Sequence, residues 1–95
     1  MIVADVSVVP IGEGTSVSRF VRKAVEALES SGLKTMRGPM STSVEARDID
    51  ELFAAVKAAH RAVLAEGARR VLTTIKIDER LDKEHTMKSK LDAIK

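Results

Sequence analysis

Cysteine, tryptophan and tyrosine are absent from this 95-residue chain, and phenylalanine occurs only twice. Without thiols there is neither a disulfide framework nor a thiolate metal site, and nothing in the composition indicates secretion. Phe20 and Phe53 both fall at helix-core spacing, which leaves no stacking platform for single-stranded nucleic acid. Charge of one sign is also lacking. Sixteen Lys and Arg stand against fourteen Asp and Glu, a formal +2, and that near balance argues against a polyanionic partner. The apolar start from Ile2 to Ile11 contains Asp5 and has no basic leader or long oily segment, so it reads as a strand rather than a signal. No run reaches membrane-spanning length. The expectations are a cytoplasmic protein without nucleic-acid or membrane partners. The length fits one domain over residues 1–95, burying only about 60–65% of its unfolded surface, so oligomerisation would add to its stability.

What is present is strong periodicity. Val3–Val9 alternates Ala4, Val6 and Val8 against Val3, Asp5, Ser7 and Val9, and Pro10, Gly12 and Gly14 end the run. Ser16 is placed to cap a helix whose apolar set is Val17, Phe20, Val21, Ala24, Val25 and Leu28, closed by Gly32. Leu33–Gly38 and Met40–Arg47 read as two strands joined at Gly38-Pro39. Asp48, with Glu51 three residues on, resembles a capping box for a second helix. That helix carries Leu52, Phe53, Val56, Ala59, Val63 and Leu64 on one stripe and ends at Gly67. A fourth strand, Arg70–Arg80, places Val71, Thr73, Ile75 and Ile77 on one face and Leu72, Thr74, Lys76 and Asp78 on the other. After a polar link, Leu81–Glu84, Thr86 is placed to cap a short helix in the extension 81–95. Its apolar side is Met87, Leu91 and Ile94, and it is too short to stand alone.

The order strand, helix, strand is thus repeated. It predicts an α+β fold, a ferredoxin-like βαββαβ sandwich with a four-stranded antiparallel sheet and both helices on one face. The opposite face, by parity, carries Asp5, Ser7, Glu45, Leu72, Thr74 and Lys76.

Catalytic and metal chemistry find little support. His60, at the edge of the second helix's apolar stripe, reads as a partly buried structural histidine rather than a base. His85, in a charged tail, reads as solvent-exposed. No Gly-x-Ser-x-Gly elbow occurs, and no His or carboxylate pair has a ligand-like spacing. The segment Pro10–Ser16 has G-x-G but lacks both a third glycine and the Gly-Lys-Ser/Thr of a phosphate loop, so a tight turn is the plainer reading. Glu45 and Lys76 are charges within strands, where burial requires a partner. An ion pair across the sheet or a subunit interface and a ligand contact are equally good readings. Arg80, past the strand end, reads as a surface or interface charge.

Four ordered blocks, P-I-G-E-G-T-S-V-S, P-M-S-T-S-V-E, R-R-V-L-T-T-I-K-I-D-E-R and D-K-x-x-T-M-x-x-K, resemble the small thiamine-binding, YkoF-like family from Val3 to Lys90. The resemblance implies a ferredoxin-like subunit that pairs into dimers and commonly tetramers. It implies no catalytic reaction and no cofactor, and binding of thiamine or its hydroxymethylpyrimidine part as carrier, reservoir or sensor. The matching positions implied for ligand binding are Ser16, Ser18, Thr42, Glu45, Lys76 and Arg80. Ser41 departs from the glycine expected in P-M-G-T. The alternative, resting on parity alone, is a structural or regulatory homo-oligomeric subunit without a small-molecule ligand.

Overall fold

The computed structural model describes residues 1–95. Strands β1 (Ile2–Pro10), β2 (Lys34–Arg37), β3 (Thr42–Ala46) and β4 (Val71–Glu79) alternate with helices α1 (Ser18–Ser30) and α2 (Ile49–Ala65), and α3 (Met87–Asp92) follows. The sheet order is β2-β3-β1-β4, with every neighbouring pair antiparallel. This is the ferredoxin-like arrangement that the repeated strand, helix, strand pattern predicts.

Alternation in the strands builds two unlike faces. Ile2, Ala4, Val6 and Val8 of β1 and Val44 and Ala46 of β3 are buried under the helices with Phe20, Ala24 and Leu28 of α1 and Leu52, Ala55, Val56, Ala59 and Val63 of α2. A fully buried Leu or Ile side chain contributes about 1.5–3 kcal/mol, so this cluster is the main source of stability. On the other face the register aligns Lys34, Glu45, Val3 and Asp78 in one row across the four strands and Met36, Ser43, Asp5 and Lys76 in the next.

Several local expectations change. The strands are shorter than the sequence suggests, because the chain leaves the ladder at Gly38–Ser41, where the Gly38 N–H closes a turn on the Ser41 carbonyl at 2.8 Å. Helix α1 begins at Ser18, not directly after Ser16. Val17 holds the N-cap position without a side-chain cap bond, because the bends at Gly12 and Gly14, both with positive φ, set the chain down on an apolar residue instead. Phe53 is 48% exposed and Leu64 is also exposed. Ala55 and Ala59 take the centre of the α2 contact and turn Phe53 and Leu64 to its flank. Asp48 does cap α2, its carboxylate accepting the Glu51 N–H at 2.8 Å. Glu51 does not return the bond to Asp48, however, but takes the N–H and guanidinium of Arg47.

Helix α3 lies on the sheet's second face and is stapled there at its first turn. Thr86 caps it reciprocally with Ser89. Met87 is buried, while Leu91 and Ile94, expected on the same apolar side, are exposed. Six residues give only one anchored turn, so the stripe does not reach the sheet beyond Met87. No helix is long and apolar enough to cross a membrane.

Candidate functional site

The ladder between β1 and β3 ends at the pair Val6 and Thr42, whereas β1 continues to Pro10. Beyond the fork, the backbone edge of Ser7–Pro10 has no strand beside it on that side. Helix α1 passes over the gap and the 38–41 turn closes its end, leaving a hollow of about 260 Å³. Its walls are aliphatic, from Val6, Val8, Val17, Val21, Val25 and Leu28, with Pro39 and Met40 in the turn. Ser7, Ser41 and Thr42 supply its hydroxyl-bearing lining. The volume is just under the usual range for small-molecule sites, and the mixture of apolar walls with few polar groups is typical of them.

Two features position the turn. A Cβ at Gly38 would stand 2.8 Å from the Ser41 carbonyl oxygen, so only glycine closes it without a shift. The Ser41 Oγ–H donates to Asp5 Oδ1 at 2.6 Å, tying the turn to β1.

The residues implied by resemblance do not converge on one place in the single chain. Thr42 is buried and lines the hollow. Ser16 and Ser18, both exposed, flank Val17, which also lines it. Glu45 opens instead onto a shallow region beside Met1, Lys34 and Arg47. It is 8% exposed, and its Oε1 accepts the Met87 N–H at 2.7 Å. A buried carboxylate here holds the start of α3. Lys76 is exposed on the second face, in an open depression with Asp5, Ser43, Asp78 and Lys90. Arg80 is ion-paired with Asp82, and that hydrogen bond holds the Asp82 carboxyl down to about 2.

The histidines are engaged structurally. His60 Nδ1 lies 2.6 Å from Thr73 Oγ1, joining α2 to β4. His85 is 4% exposed rather than solvated. Its Nε2–H donates to the Asp78 carbonyl at 3.3 Å, because the link after β4 folds back under α3. No three His, Asp or Glu side chains gather as a metal site would require.

Sequence reasoning missed Val17, Val21 and Val25 as lining residues. The signal was there: the apolar arc of α1 holds two rows spaced by threes and fours, and only Phe20, Ala24 and Leu28 are needed to cover the sheet. The second row is half-buried and faces the hollow.

The model of the thiamine-binding protein family matches residues 4–95. The chain belongs to the thiamine-binding protein family. A UPF0045 protein of Methanothermobacter thermautotrophicus is 46% identical over 96 residues, covering all of this chain and 97% of that one. A hypothetical protein of Methanocaldococcus jannaschii, solved by crystallography, superimposes with a TM-score of 0.90 at 46% identity, over 98% of this chain and 94% of the other. A candidate thiamine biosynthesis/salvage protein of Thermotoga maritima gives a TM-score of 0.83 at 26% identity, over 99% and 98% of the two chains.

Proposed function

We propose that the hollow between α1, the free end of β1 and the 38–41 turn binds thiamine or a hydroxymethylpyrimidine-like precursor through its aminopyrimidine ring. The protein then serves as a carrier, reservoir or sensor, without chemical turnover. The observation that carries this reading is the combination, in a member of this family, of aliphatic walls with hydroxyls on one side. An aminopyrimidine offers an exocyclic amine and ring nitrogens, and hydroxyls such as that of Thr42 both donate and accept. The uncovered backbone of Ser7–Val9 adds further donors and acceptors beside them. Ser16 and Ser18 are assigned to the rim. With no aromatic ring in the walls, affinity rests on aliphatic contact and hydrogen bonds, on the order of −8 kcal/mol at best, or micromolar.

Calorimetric titration with thiamine and with hydroxymethylpyrimidine tests the reading. Thr42→Val keeps the shape and removes the hydroxyl, and is expected to weaken binding about fivefold to tenfold. Absence of heat and of competition at millimolar ligand removes the proposal.

Self-association belongs to the same proposal. The sheet's second face leaves Met36 and Leu72 exposed around Lys76, a surface that a second copy would cover. Light scattering on the wild type and on Lys76→Ala checks it: a monomeric mass for the wild type would leave this face solvated.

A further inference from the structure

Asp5 and Ser41 sit where the hollow meets the opposite face of the sheet. Ser41 lines the hollow, and Asp5 lines the open depression on the second face, across the strand pair from Lys76. The two are joined by the 2.6 Å hydrogen bond from the Ser41 hydroxyl to Asp5 Oδ1. Ser41 is the first residue past Thr42, which ends the β3 side of the ladder, whereas Asp5 lies inside the ladder, opposite Ser43. The bond therefore runs diagonally back from the turn and ties it to the last closed part of the ladder, next to the point where the strands diverge. The turn has little else to hold it in place. Met40, although it borders the hollow, is 87% exposed and adds little packing, and the Gly38–Ser41 hydrogen bond is internal to the turn.

We propose that the Asp5–Ser41 hydrogen bond is a latch that orders the 38–41 turn and so sets the width of the hollow, making both residues positioning residues for its occupant. A carboxylate acceptor suits this task, because a charge-assisted hydrogen bond is shorter and stronger than a neutral one. The latch also links the two sides of the sheet. The ligand consequence rests on the binding reading above; the ordering of the turn does not.

The test uses the ligand-free protein first. The backbone order parameter at the Met40 amide and the exchange rate of the Gly38 amide are measured in Ser41→Ala and Asp5→Ala. Both variants are expected to lower the order parameter and to raise exchange about fivefold, with the β1–β3 amides unchanged. Ser41→Thr keeps the hydroxyl and is expected to restore the wild-type values, whereas Asp5→Asn keeps only a neutral acceptor and is expected to fall between the wild type and Asp5→Ala. A turn equally ordered in the alanine variants overturns the proposal, as does a turn loosened as much by the conservative pair. Titration with thiamine then reads the consequence, an affinity lower by about fivefold in the alanine variants. A wild type that gives no heat overturns the binding reading, while the backbone order and exchange data still decide the latch. Binding that is equal in the wild type and the alanine variants overturns the positioning role.

Discussion

The two faces of the sheet come from the same alternating strands, yet they are stabilised in different ways. The helix-covered face is held mainly by a continuous apolar cluster, with the His60–Thr73 contact joining α2 to β4 beside it. The second face is held by discrete bonds: Glu45 to the Met87 amide, Lys90 to Asp78, and Ser41 to Asp5. The lesson is that burial alone does not indicate a common role. Val44 and its neighbour Glu45 are both buried, but one contributes through the area it removes from water and the other through a directed bond to a helix end.

Replacing residues on each face separates these roles. The largest effect is expected for Leu52→Ala, which opens a cavity under α2 and costs about 2–5 kcal/mol, read as a lower midpoint in chemical denaturation. A loss under 1 kcal/mol would mean that the covered face repacks freely. Glu45→Ala is expected to cost less, about 1–3 kcal/mol, because it leaves the Met87 amide without its acceptor. Its distinctive signature is local. Trypsin should cut faster after Lys83 and Lys88 while the strand amides stay protected. Thiamine affinity should remain unchanged, and a weaker affinity would give Glu45 a ligand contact as well as its structural one.

The smallest effect concerns pH. The hydrogen bond from Lys90 holds the Asp78 carboxyl below its ordinary value. A depressed folded-state value means that the contribution is present above the unfolded pKa of about 4 and is lost as pH falls through the folded one. Release of α3, followed by the exchange of its amides, should therefore rise as the solution is acidified below about pH 4. Lys90→Ala should remove that component. Because the pair is half in water, the change is expected in α3 alone, not in global unfolding.

Much of the fold was legible because periodicity reports facing directly. The period of two read over Val3–Val9 and Arg70–Arg80 located β1 and β4, which run from Ile2 to Pro10 and from Val71 to Glu79, and the spacing on α1 and α2 located both helices. The relative placement of the residues implied by resemblance was less legible: Thr42 lines the hollow, whereas Glu45, Lys76 and Arg80 line three other depressions, since a residue's position along a strand does not say what crosses that strand from another part of the chain. His85 shows the same gap: its neighbours in sequence are charged, yet the fold of the link places it against the Asp78 carbonyl.

The sequence by itself determined the element order, the two unlike sheet faces and the family, because local alternation, caps and ordered motifs are written in consecutive residues. Only the tertiary structure decided that β1 outruns β3, that a hollow forms at the fork, and that Asp5 reaches Ser41, 36 positions away in the chain. Strand register and loop path are set by the packing of the whole core, and a bond between distant residues exists only once that packing has brought them together.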